Sequence, residues 1–175
     1  MECRGKSPGR LLKETTMAKW IVKYFKKSEF QCSRPERPCD CGLDNIHPTI
    51  PLLADEVRHH LGVPIEVLSG VRCIEGNKKA GGRSRSYHIP RKIDTGEMNN
   101  KEGLGLAADF SFADRSLRTP LNLCRLYMLF ESIATRKYCK TIGIGIYPWG
   151  VHVDFRGNIS PLSARWSELD FPRLR

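Results

Sequence analysis

Apolar residues recur at helical spacing across residues 48–61, where Ile50, Leu53, Val57 and Leu61 fall near one face and Gly62 follows as a natural stop. The period then shortens. Ile65-Glu66-Val67-Leu68, bounded by Pro64 and by Ser69-Gly70, reads as a short strand. Residues 73–80 can close a short helix before Gly81-Gly82, and residues 106–112 form a small, apolar run of the kind found in buried strands. Thr119-Pro120 marks a helix start, a capping hydroxyl followed by proline at the first helical position. The apolar face of that helix is expected to run through Leu121, Cys124, Met128, Leu129 and Ile133. Two last strands, 141–146 and 151–155, are joined by Tyr147-Pro148-Trp149-Gly150. This order of elements predicts an α+β fold, with helices packed on a small, largely antiparallel sheet.

The first sixteen residues break the pattern. They are polar, contain glycine and proline, and have no periodicity, so residues 1–16 are expected to be a disordered arm and residues 17–175 a single domain. A chain of 175 residues can bury one sizeable core. No apolar run approaches the roughly 20 residues that span a bilayer, so membrane insertion is not expected. Trp20-Ile21-Val22, broken by Lys23, is too short for the apolar stretch of a secretory signal. The chain is therefore expected to be made in the cytoplasm, and any work outside the cell needs another exit route. Seven cysteines cannot all pair internally, and without an export signal reduced thiols are the default. A net charge of +10 implies an anionic partner without choosing among nucleic acid, lipid and cell wall. The basic residues are spread along the chain rather than grouped with aromatics, which ranks specific nucleic-acid binding last.

Chemistry concentrates in four short segments: Ser69-Gly70-Val71-Arg72-Cys73, Ser86-Tyr87-His88, Gly105-Leu106-Ala107-Ala108-Asp109 and Gly150-Val151-His152-Val153-Asp154. Each polar residue sits at the edge of a predicted strand. Two imidazoles and one carboxylate are what a catalytic zinc site requires: three protein ligands and a fourth position open to water. His47, His59 and His60 have no such motif around them and read as surface or satisfied core residues.

The order Ser-x-His, Gly-x-Ala-x-Asp, His-Val-Asp resembles the zinc D-alanyl-D-alanine peptidase family, which is related in fold to the hedgehog signalling domain. Ser69-Gly70-Val71-Arg72-Cys73 resembles that family's Ser-Gly-Tyr-Arg-Cys, and Asn77 with Gly81-Gly82 resembles its next segment. Gly143-Ile144-Gly145-Ile146-Tyr147 leads into His-Val-Asp as it does there, and Phe30-Gln31-Cys32 with Cys39-Asp40-Cys41-Gly42 resembles the start of one branch. The likeness runs from about Tyr24 to Trp166. It implies that His88, Asp109 and His152 hold one catalytic Zn2+, and that Arg72 binds substrate or polarises its carbonyl.

Two departures stand out. Sixteen residues, 89–104, separate His88 from Gly105 where the family has two. Three doublings of loop length cost only about 2 kcal/mol of closure entropy, so the site can tolerate them, and this polar insert is expected to form a flap beside the cleft. The family's carboxylate three residues before the last ligand is Trp149 here. Asp154 then becomes the candidate general base, since strand alternation points it to the same face as His152; it could instead orient a ligand from behind. Trp149 and Trp166 are open to either use, lining the cleft or packing, and Asp154 under its plainest reading is a sheet-edge carboxylate. Cys32, Cys39 and Cys41 could bind a second metal, although buried thiols are the commoner outcome. The resemblance implies hydrolysis of peptide bonds in bacterial peptidoglycan by a monomer, as carboxypeptidase or endopeptidase, in the manner of phage lysis enzymes that leave through a membrane pore or ride in the virion. The alternative is a zinc-containing wall-binding domain that has lost turnover.

Overall fold

The computed structural model describes residues 20–32, 39–138, 142–156 and 164–169. The arm expected at 1–16 lies outside them. A 3-10 turn at Lys27–Phe30 precedes α1 (Thr49–Leu61), β1 (Ile65–Ser69) and α2 (Ile74–Lys79). After a long connection come β2 (Ala107–Phe112), α3 (Pro120–Tyr138), β3 (Ile142–Tyr147), β4 (Gly150–Phe155) and β5 (Arg165–Ser167). The sheet runs β1-β2-β4-β3-β5. Its first four strands are antiparallel, and β5 lies parallel to β3. The fold is α+β, as the hydrophobic pattern predicts. No helix among the described residues is long and apolar enough to cross a membrane.

Strand alternation gives the sheet two different faces. Val67, Phe110, Ile142, Ile144, Ile146, Val151 and Val153 point to α1 and α3 and form one core with Ile50, Leu53, Val57, Leu126, Phe130 and Ile133. The opposite face carries the polar residues. There the register aligns Ser69 with Asp109, Asp109 with His152, His152 with Gly145, and Gly145 with Trp166, a single row across all five strands. Gly145 leaves the space that Trp166 fills: a Cβ there would lie 2.1 Å from the indole. Gly143 does the same beside Asp154 and Arg156, where a Cβ would lie 2.5 Å from the carboxylate. Alternating glycine and isoleucine in β3 thus makes a trough on one face and core on the other.

Several boundaries match the sequence pattern. Gly62 ends α1 in the left-handed region at φ 73°, and the Thr119 hydroxyl caps α3 by accepting the N–H of Asn122 at 3.3 Å. The face expected for α3 holds in part. Ile133 is buried and Cys124 and Leu129 pack against the core, but Leu121 and Met128 are exposed, and Leu123, Leu126, Phe130 and Ala134 are buried beside Ile133. Both sets have helical spacing, and the one carrying Phe130 faces the sheet, where its ring meets Phe110 at 5.2 Å. The short β5 carries no periodic signal and was not expected.

The insert does not fold over the cleft. Arg91 and Leu104 exchange backbone hydrogen bonds of 3.0 and 2.9 Å, so the two ends of the extra loop are pinched together and Gly105 resumes close to where His88 leaves. Arg91 is buried, and its guanidinium donates to the carbonyls of Arg85 and Ser86 and lies 4.7 Å from the Tyr87 ring. The insert therefore supports the His88 segment from behind. Its far end meets the loop around Asn45, whose amide donates to the Gly103 carbonyl.

His47 is buried and stacked on Phe155 at 4.3 Å. Its Nδ1 accepts the Thr49 N–H at 3.3 Å, which requires an unprotonated nitrogen. Burial pushes its pKa down from 6.5 to about 4. The unfolded chain therefore binds the proton more tightly, so the stability due to neutral His47 is complete above pH 6.5 and is lost as pH falls toward 4. A shift of this size corresponds to about 3 kcal/mol. Denaturant unfolding followed against pH is expected to give a shallower slope for His47→Phe than for the parent in that window; parallel curves would contradict the assignment.

Candidate metal centre

Three elements bring the expected donors together. Asp109 and His152 are cross-strand partners on β2 and β4. His88 arrives from the turn at Ser86, whose carbonyl accepts the Ile89 N–H, and its segment is tied to the sheet by Arg72 N–H to the His88 carbonyl and Leu106 N–H to the Tyr87 carbonyl. His88 Nε2 lies 3.3 Å from both Asp109 Oδ1 and His152 Nδ1. His152 Nδ1 and Asp109 Oδ1 are 2.7 Å apart. Donors 2.0–2.1 Å from a tetrahedral ion stand about 3.3 Å from one another; the two separations from His88 Nε2 match this spacing, and the 2.7 Å one is that of a hydrogen bond.

The outer nitrogen of each ring is also engaged. His88 Nδ1 donates to the Gly70 carbonyl at 2.6 Å, which leaves Nε2 as the free lone pair. His152 Nε2 faces Asp154 Oδ2 at 3.4 Å, which leaves Nδ1 turned inward. Histidines that hold metals have this arrangement, with the second ring N–H given to a carbonyl or carboxylate that fixes tautomer and ring direction. The donor set and its supports therefore fit a zinc ion.

Charge in this pocket is strongly organised. Burial pushes His88 below the usual imidazole range. Burial opposes the charge on Asp109 as well, yet the imidazoles of His88 and His152 hold its carboxyl well below the ordinary carboxylate range. At His152 burial is outweighed by hydrogen bonds to Asp109 and Asp154, which raise it to about 9. A buried position between two carboxylates thus favours a positive charge, which a divalent cation supplies.

Arg72 is tied to the site from one side. Its guanidinium donates to Asp109 Oδ2 at 2.7 Å and to the Ser69 hydroxyl at 2.7 Å. It therefore turns Oδ1 of Asp109 toward the histidines, while still bordering the cleft. Asp154 is engaged on two sides, by His152 and by Arg156. It is buried behind His152, on the ring nitrogen remote from Asp109, and Arg156 grips both its oxygens at 2.7 and 3.0 Å. An ion-paired carboxylate turned away from the inner donors suits orientation, which is the second of the two roles open to it from sequence.

The site floors a cleft of about 1040 Å³. Trp149 and Trp166 both line it. Trp166 lies 5.5 Å from His152 and donates its indole N–H to the Tyr147 hydroxyl at 2.8 Å, and Tyr147 stacks on Trp149 at 4.6 Å. Arg83, Arg85 and Glu168 complete an exposed rim. Sequence reading missed Arg156 and Glu168. Arg156 was findable, since it lies two residues beyond Asp154 and strand alternation returns it to the same face.

A family model described as peptidase M15 matches residues 23–154. No curated protein and no solved structure matches the chain. The geometry makes a specific demand of Asp154. Asp154→Asn is expected to weaken zinc binding 10- to 100-fold without unfolding the chain, as measured by competition with a chromophoric chelator and by circular dichroism. Unchanged affinity would remove Asp154 from the orienting role.

Proposed function

The chain belongs to the peptidase M15 family, a family of zinc-dependent peptidases, and from that premise we propose that it hydrolyses peptide bonds of bacterial peptidoglycan, with His88, Asp109 and His152 holding one zinc ion. The observation that carries this reading is the convergence of three inner donor atoms, all within 4.8 Å of one another, on the floor of the cleft.

Zinc in such a site supplies Lewis acidity, activating water at neutral pH and polarising a carbonyl. Everything else falls to the chain. Gly70 and Asp154 keep the two imidazoles in the tautomers that present Nε2 of His88 and Nδ1 of His152. Arg72 pairs with Oδ2 of Asp109 and so turns Oδ1 inward, and its position at the cleft wall leaves it beside a bound carbonyl oxygen. The walls of Tyr147, Trp149 and Trp166 offer flat apolar surface for a peptide. Arg83 and Arg85 on the rim suit the carboxylates that peptidoglycan stem peptides carry, since guanidinium groups pair well with carboxylates. With Asp154 bound to Arg156, a proton acceptor has to come from elsewhere on the wall, and among the described residues Glu168 is the exposed carboxylate there.

The net charge of +10 supports retention on an anionic wall, in keeping with a lysis enzyme of the phage type. Carboxypeptidase and endopeptidase action are both compatible with an open cleft of this size, and their products differ.

Zinc-loaded protein incubated with purified peptidoglycan is expected to generate new free amines, and mass spectrometry of the soluble products identifies the bond cut. His88→Ala should reduce release to background while leaving the circular dichroism spectrum close to that of the parent. Wall binding without release by the zinc-loaded parent would instead favour the non-catalytic binding domain, for which the replacement of a carboxylate by Trp149 is the motive. Glu168→Gln is expected to lower turnover with zinc content unchanged.

A further inference from the structure

Outside the cleft, four sulfur atoms from separate stretches of chain meet. Cys32 follows the 3-10 turn, Cys39 and Cys41 belong to the next described loop, and Cys73 caps α2. Their Sγ atoms all lie within 4.8 Å of one another, and those of Cys39 and Cys73 are 3.5 Å apart. Four thiolates about 2.3 Å from one tetrahedral zinc stand about 3.8 Å from one another, so the cluster already approximates that arrangement.

Each sulfur also accepts a backbone N–H. Cys73 N–H donates to Cys32 Sγ at 3.2 Å and Gly76 N–H to Cys73 Sγ at 3.1 Å. The amide of Cys41 donates to Cys39, and that of Leu43 to Cys41. Four thiolates on a divalent ion carry a net double negative charge, and amide donors aimed at sulfur delocalise it without a counter-ion. Gly76 gives independent support. A Cβ there would lie 2.9 Å from Cys32 Sγ and 3.3 Å from Cys73 Sγ, so the start of α2 is shaped around the sulfurs.

We propose that Cys32, Cys39, Cys41 and Cys73 bind a second zinc ion, in a closed four-thiolate structural site. On binding, each thiol gives up its proton to solvent as its sulfur–zinc bond forms. Four protein ligands leave no position for water, which separates this site in kind from the three-donor centre in the cleft. Its position explains a use. The ion clips the loop around Cys39 and Cys41, and the chain that follows Phe30, to the N-terminus of α2. Phe30 already accepts the Val71 N–H and packs against Gly70 too closely for any side chain. Cys73 follows Arg72 directly, so the clip anchors the strand end from which Arg72 reaches Asp109. The site does not depend on the reading of the cleft.

Metal content of the full-length protein, purified without chelator, tests this. The parent is expected to hold two zinc ions per chain, Cys39→Ser/Cys41→Ser one, and His88→Ala/His152→Ala one. Cobalt substitution should give thiolate-to-cobalt charge-transfer bands in the parent and in the histidine variant, lost in the cysteine variant. Gly76→Ala should lower occupancy at the sulfur site alone. Because cysteine variants can fail to fold, a thiol-specific mercurial is applied to the parent, where Cys41 is exposed, and should release one of the two ions. A parent with a single zinc that only the histidine substitutions remove, cobalt spectra without thiolate bands, or an intact mass showing these cysteines joined as disulfides would overturn the proposal.

Discussion

A buried carboxylate, Asp109, is the constraint on which the rest of the structure turns. It sits on an interior strand of the sheet, 4% exposed, where an unpaired charge is prohibitively costly. The fold answers with Arg72 on one oxygen and with His88 and His152 on the other. Those contacts in turn fix what surrounds them. Arg72 is braced by Ser69, His88 by the Gly70 carbonyl, and His152 by Asp154, which is itself neutralised by Arg156. The result is a shell in which each polar group has a partner and three donor atoms remain turned to one point.

Space for that shell comes from the absence of side chains. β3 alternates isoleucine with glycine, so its isoleucines complete the core beneath the helices while Gly143 and Gly145 open the polar face. The Asp154–Arg156 pair occupies one gap and Trp166 the other. A larger residue at either place would displace the neighbours of His152 rather than His152 itself. Trp166, held by Tyr147, then forms a cleft wall beside His152. One strand thus serves core stability and cleft shape together, because its two faces are chemically independent.

The four polar motifs were legible in sequence because each is local: a strand edge, a short turn, or an alternation of two residues. The metal-binding character of His88, Asp109 and His152 was an expectation of the same kind, and the structure places their donor atoms together. The roles of Arg72 and Asp154 were less legible, since role depends on what occupies each hydrogen-bonding direction. A guanidinium beside a carboxylate at a cleft wall can face either the cleft or the carboxylate, and here it turns to Asp109. The insert at residues 89–104 was visible as extra length, but its destination was not. Its polar composition suits a flap as well as a buttress, and the pairing of Arg91 with Leu104 decides for the buttress.

Hydrophobic period, capping and turn residues act over a few positions, and they were enough for the three α-helices, the first four strands and the α+β class. The sequence by itself did not place the centre of the buried face of α3, since Leu121 and Met128 have helical spacing as Leu123, Leu126 and Phe130 do, and packing against α1 and the sheet puts the second set inside. It also left Cys73 apart from Cys39 and Cys41. Convergence of distant side chains is a property of strand order and register, and those are set by the packing of the whole core rather than by any segment within it.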